Sequence, residues 1–303
     1  MRRFGDRYLR TPTGALGLVL LGAVVAFALL VPLLWPASPS EVSFPIRFQA
    51  PSWSHPFGTD FFGRDLFARV ALGGRLSLGV SAAALGIVLG FGFLYGAAAA
   101  MLPRRLDAAL MRLVDALLAV PRLPVVVLVL AVAGASTDAF TVIGALALGG
   151  WMIPARLVRG ELVTLRQRPF VLAARSLGVG PVRLVLRHLL PNAIGVLLVA
   201  AFLELPTLVL GEAFASGLGL GINPPTPTWG NLVYEGLDED RLWQVFLPSV
   251  AIAVFTVAAA FVADGIQDAL HGHVRVGRRR SLGRLVERVA WALVGRPRRR
   301  VSA

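Results

Sequence analysis

The chain has 303 residues, 56% of them hydrophobic and 16% charged, against about 25% charged in soluble domains. With a mean hydropathy of +0.72, it has too little charge to cover a soluble surface and reads as an integral membrane protein. Cysteine and lysine are both absent, so all 30 basic residues are arginine. That excludes disulfides, thiolate metal sites and the P-loop, whose lysine reaches nucleotide phosphates. If ATP drives the work of this chain, another chain binds it.

Six apolar stretches are long enough to cross about 30 Å of hydrocarbon as helices. They fall near 13–35, 75–101, 113–134, 138–158, 192–213 and 246–268. The first is read as a signal anchor rather than a cleaved leader. Its apolar run is long, and no A-x-A site follows it.

Arginine placement sets the expected orientation. The N-terminus carries Arg2, Arg3, Arg7 and Arg10, and the turn after the second span carries Arg104, Arg105 and Arg112. The segment between the fourth and fifth spans holds seven arginines from Arg156 to Arg187. In contrast, 36–73 is balanced and 211–247 is acidic. Both termini are therefore expected in the cytoplasm. The chain divides into an anchor helix with an external loop (1–73), a transmembrane core (74–271) and an Arg-rich tail (272–303).

Two external segments are too long for plain turns. The first contains His55, Gly58, Thr59, Asp60, Gly63, Arg64 and Asp65 within eleven residues. The second contains Gly217, Gly219 and Gly221, then Pro224, Pro225, Pro227, Trp229 and Gly230. Such Gly and Pro density specifies turns and extended backbone, and long loops are often functional. The proline segment is expected to form a rigid external element near the solute path.

The cytoplasmic segment 160–191 is the most informative. Pro169 suits a helix start and Gly178 its stop. Between them Phe170, Ala173, Ala174 and Leu177 form one apolar stripe at i, i+3, i+4 and i+7. A second helix is expected from Pro181, ending at Pro191. An apolar stripe flanked by Arg166, Arg168 and Arg175 suits a helix docking into a groove on a cytoplasmic partner. A re-entrant or lipid-lying linker is the other reading.

Ala173, Ala174 and Gly178, followed by His188 and Pro191, resemble the EAA loop of ABC-importer permease subunits, with Leu172 where that motif has glutamate. The patch from His55 to Asp65 resembles the HPxGTDxxGRD patch of the dipeptide/oligopeptide/nickel subfamily. Arg112, Asp115 and Pro121 resemble its third-span lead-in, and Gly217–Gly230 its GLGxxPPxPSWG loop. The order of motifs is similar to the C-type, DppC-like branch.

The resemblance implies an all-α integral membrane fold with six transmembrane helices and a type I importer (MetI-like) core, both termini cytoplasmic. It implies a bacterial or archaeal inner-membrane location and a non-catalytic subunit. The implied partners are a homologous DppB-like permease, two cytoplasmic ATPases and an extracytoplasmic binding protein. No cofactor is expected in this chain; ATP and Mg would sit in the ATPases. Phe170, Ala173, Ala174, Leu177, Gly178, His188 and Pro191 would couple to the ATPase. Gly58, Thr59, Asp60, Gly63, Arg64, Asp65, Gly219, Gly221, Pro224, Pro225, Pro227, Trp229 and Gly230 would form the external loop or gate. The implied solute is a peptide, with nickel, opines, sugars or antibiotics as alternatives.

Several residues remain to be weighed. Glu204 lies inside the fifth span beside Pro206. An ionisable group at membrane depth faces a polar cavity or a partner, so Glu204 is a pathway candidate. Asp115 is expected to pair with Arg112 at i, i+3. The four histidines, at 55, 188, 271 and 273, do not cluster as metal ligands do, and no metal is expected. No G-x-S-x-G elbow or H-E-x-x-H occurs, so hydrolase chemistry has no support. The tail places Leu282, Leu285, Val286, Val289 and Leu293 on one helical face among arginines, which suits an interfacial amphipathic helix. Docking on an ATPase and disorder are its alternatives. The competing class is an ATP-independent carrier or scaffold, which typically shows inverted repeats and mid-membrane charges.

Overall fold

In a computed structural model, the described residues are Tyr8, 11–134 and 138–271. The expected tail helix and the N-terminal arginines at 2, 3, 7 and 10 lie outside them. The described residues are helical with short connections. They form α1 (Pro12–Leu34), α2 (Leu66–Met101), α3 (Arg104–Leu118), α4 (Arg122–Ala133), α5 (Ala139–Gly150) and α6 (Met152–Leu165). Then come α7 (Pro169–Ser176), α8 (Pro181–Leu184), α9 (Leu190–Gly217), α10 (Trp229–Asp238) and α11 (Leu242–His271).

Four helical segments are long and apolar enough to cross a membrane unbroken: α1, α2, the run Pro181–Gly217, and Leu242–Leu270 within α11. The other two expected spans are bent pairs. The α3/α4 pair turns through 80° and the α5/α6 pair through 47°. Pro121 explains the first break, because proline cannot donate to the preceding turn and disfavours helix in the residue before it. The second falls after Gly149 and Gly150, where helix propensity is weakest. Pro191 does not end a helix as expected. A π-helical turn, Val185–Leu189, carries α8 directly into α9, and Pro191 sits in the first turn of α9, where its missing N–H costs little.

The core is made of small residues. Ala71, Ala84 and Ala99 of α2, Ala155 of α6, Ala200 of α9 and Ala258 of α11 are fully buried. Between helices in lipid, apolar area alone drives little association, and close backbone approach replaces it. Gly14 of α1 crosses Gly265 of α11 so tightly that a Cβ on Gly14 would stand 3.0 Å from the Gly265 Cα. The long α2, about 54 Å at 1.5 Å per residue, has two distinct ends. Its Leu66 end meets residues 55–65 and α10; its Met101 end meets Arg166.

Candidate functional site

At the Leu66 end, the patch predicted from sequence forms one buried charged knot. Asp60 is 1% exposed and Arg69 is fully buried. Arg64 donates from Nε to Asp60 Oδ2 at 2.6 Å, and Arg69 Nη1 donates to the same oxygen. Arg69 then forks onto Glu235 of α10, at 2.8 Å to Oε2 and 3.1 Å to Oε1. Asp60 Oδ1 also accepts the backbone N–H of Phe62 and Arg64, each at 2.9 Å. Asp65 caps α2 by accepting from Ala68 N at 2.7 Å, and its other oxygen meets His55 Nδ1 at 2.7 Å.

Local backbone chemistry makes this knot possible. Gly58 and Gly63 both take positive φ, +72° and +70°, which side-chain-bearing residues rarely adopt. Thr59 donates its hydroxyl to Ile46 O and accepts from Gln49 N, tying 46–49 beneath the patch. Glu239 lies beside the knot, with its buried Oε2 lacking a hydrogen-bond partner among the described residues. Burial, then repulsion from Asp60 and Glu235, pushes its carboxyl up to about 7, against the pull of Arg69 and Arg64.

The proline loop closes onto the same end. Gly219 takes φ +72° in the turn after α9, and Gly221 is buried against Ser216. Pro224 and Pro225 are exposed, whereas Pro227 is buried. Trp229 lies at this end of the bundle but does not face outward. It is fully buried at the start of α10, where its Nε1 donates to Val70 O at 3.0 Å. Thr228 and Asn231 cap each other's backbone N–H, a reciprocal box that fixes the helix start. Gly230 lets α10 lie on α9, since a Cβ there would stand 2.5 Å from the Ala213 Cα.

At the Met101 end, α7 runs from Pro169 to Ser176 as the sequence predicts, and Gly178 stops it at φ +76°. The expected stripe splits. Ala174 turns inward with Val171 and packs beneath the helix beside Leu162, Leu165 and Leu184. Phe170, Leu172, Ala173 and Leu177 face outward, with Leu177 84% exposed. His188 is half-buried in the π turn and Pro191 is exposed. Arg166 Nη1 donates to Ala100 O at the C-terminal end of α2, where uncapped carbonyls need donors. Burial beside Arg175 pulls its guanidinium down from the ordinary arginine range. Arg159 forks onto Asp107 of α3 at 3.0 and 2.5 Å. Asp115 pairs with Arg156 rather than with Arg112: the bend lays α3 across α6, so a tertiary partner replaces the helical neighbour.

Between the ends lie two buried carboxylates on α9. Glu204, 3% exposed, accepts from Arg122 Nη1 at 2.8 Å. Glu212 is fully buried and accepts from Ser216 Oγ at 2.7 Å, with the Ser77 and Thr228 hydroxyls on the same carboxylate. Arg69, Glu235, Arg122 and Glu212 were not singled out from sequence. The signal for Arg122 was present: a lone arginine just after Pro121 inside an otherwise apolar stretch. Among the described residues, no group of three or more His, Asp or Glu could hold a metal ion.

A bundle of apolar helices with two bent spans, a capped end and an end displaying a short apolar helix defines a membrane-embedded permease subunit. Residues 66–276 match the family model for the binding-protein-dependent transport system inner membrane component, and the chain belongs to that family. A protein named as a peptide permease in Brucella suis biovar 1 is 37% identical over 273 residues, covering 89% of this chain and 90% of its own. The oligopeptide transport system permease protein OppC of Bacillus subtilis is 34% identical, over 89% and 88%. The fold is similar to a chain in inward-facing structures of the MetNI methionine ABC transporter, with TM-score 0.53 and 20% identity. That match covers 64% of this chain and 93% of the other. The protein is therefore an inner-membrane permease subunit of a binding-protein-dependent ABC importer, whose ATPase activity lies in separate subunits. This membership removes the ATP-independent carrier.

Proposed function

We propose that this chain forms one half of a peptide translocation pathway, with its Met101 end in the cytoplasm. The other half is a homologous second permease, and two ATPases holding ATP and Mg dock at the Met101 end. The observation that carries the coupling reading is the outward face of α7: Phe170, Ala173 and Leu177 are exposed on a helix seated by Val171 and Ala174. An apolar face beside Arg166, Arg168 and Arg175 suits insertion into a groove with acidic edges. Leu172 extends that face apolarly where the resembling motif carries glutamate.

The peptide assignment rests on the names of relatives at 34–37% identity. The arginine clusters support the orientation by the positive-inside rule.

Ala173→Arg tests the coupling reading. It places charge and bulk on the outward face without touching the seat of α7. The variant should insert normally and lose co-purification of the ATPases. Wild-type ATPase binding with wild-type uptake would refute it. Peptide retention by the cognate binding protein, measured by calorimetry, tests the solute separately.

A further inference from the structure

Arg122 and Glu204 meet where both helix breaks converge. Arg122 is the first residue of α4, immediately after the 80° turn at Pro121. Its side chain lies along the last two residues of α5, immediately before the 47° turn at Trp151. A Cβ on Gly149 would stand 2.9 Å from Arg122 Cγ, and one on Gly150 would stand 2.8 Å from Nη2. The two glycines let the Arg122 side chain lie directly against the end of α5. Glu204 reaches the same point from α9, two residues before Pro206. One side-chain pair thus ties both bent spans to a long span.

The chemistry gives Arg122 one anionic seat and one unpaired edge. The seat is the Glu204 carboxylate, held through Nη1 at 2.8 Å. The unpaired edge faces Gly150 at the C-terminal end of α5. Nη2 points toward that end, buried and without a hydrogen-bond partner among the described residues. The Arg122 side chain is 19% exposed and that of Glu204 4%. The arginine is the more accessible member, and because it sits at both bends a change in either one moves it relative to the carboxylate.

We propose that Arg122 and Glu204 form a separable latch that positions the two bent spans against α9 and opens during the transport cycle. The latch sets the resting bend. Breaking it frees α4 and α5 to rotate about Pro121 and Gly149–Gly150. Its action is independent of which solute the permease carries.

The absence of cysteine allows a clean test in the assembled transporter with its ATPases and binding protein. Leu123 and Leu203 flank the pair and are both exposed. Spin labels on Leu123→Cys and Leu203→Cys report the α4–α9 distance by double electron–electron resonance. The distance should lengthen when ATP is trapped by a hydrolysis-deficient ATPase. In the nucleotide-free transporter, Arg122→Gln should raise the long-distance population about tenfold. Glu204→Gln, which keeps side-chain shape, should do the same, and Arg122→Glu combined with Glu204→Arg should reverse part of the effect. An identical distance with and without ATP overturns the latch whatever the variants do. So does a resting distance that neither Gln variant changes.

Discussion

The two ends of α2 are finished in opposite ways. At the Leu66 end, the carboxylates and most of the guanidinium N–H groups of the Asp60–Arg64–Arg69 knot pair within this chain, some with residues far apart in sequence. At the Met101 end, α7 is seated by Val171 and Ala174 and turns Phe170, Leu172 and Leu177 outward. Buried charges demand paired geometry, and most of that pairing at the Leu66 end comes from this chain. Apolar side chains left outward on a short helix are completed by something else. The contrast separates residues that hold the fold from residues that, on the proposed coupling reading, meet the ATPases.

The largest expected effect comes from breaking the knot. Arg69→Met takes the fully buried cation from between Asp60 and Glu235 and leaves Arg64 alone to neutralise both. Removing one member of a buried ion pair costs about 3–5 kcal/mol. Thermal unfolding in detergent should show a large drop in midpoint, and an unchanged midpoint would mean the knot is solvated. Trp229→Ala comes next. It deletes a buried ring against Gly74 and Phe255 and a hydrogen bond to Val70 O, at about 3 kcal/mol or more. Protein abundance and transport should fall together. A transport defect at normal abundance would return Trp229 to the solute path.

At the other end the comparison predicts a split between neighbours. Val171→Asp buries an unpaired carboxylate beneath α7 and should destabilise the protein by several kcal/mol, in the range of about 2–4. Ala173→Arg, two residues on, should change stability by less than about 0.5 kcal/mol, as exposed substitutions do. Measured side by side, equal melting points would show that α7 is not seated as described.

The sequence revealed the spans and motifs better than the contacts. Apolar length located the four unbroken apolar helices and the two bent pairs, and Pro169 and Gly178 bounded α7 correctly. The stripe on α7 was only half read. Its periodicity placed Ala174 with Ala173, but 100° per residue swings Ala174 toward the bundle while Ala173 stays outside. Both bends escaped notice because span length is additive across a break: 113–134 is apolar enough whether or not Pro121 turns the chain. The partners of Arg69 and Arg122 were illegible for another reason. They lie 166 and 82 residues away, and no local pattern encodes a contact of that separation.

The smallest expected effect is a pH dependence at the Leu66 end. Glu239 is partly exposed, lies outside the spanning segments, and has its carboxyl raised from 4.5 to about 7. The unfolded chain ionises it more readily than the folded one does. Its neutral form therefore favours the fold fully below 4.5, and that contribution is lost as pH rises through about 7. Arg64 and Arg69 face it with attraction, and Asp60 and Glu235 with repulsion. Solvent screening keeps the net effect modest. Glu239→Gln fixes the neutral form in place. The variant should melt close to wild type at about pH 4 and above it at about pH 8, where only the wild type carries the third negative charge beside the knot. A difference of the same size at both values would mean that folding does not raise the Glu239 pKa, and that the knot tolerates three carboxylates against two guanidinium groups.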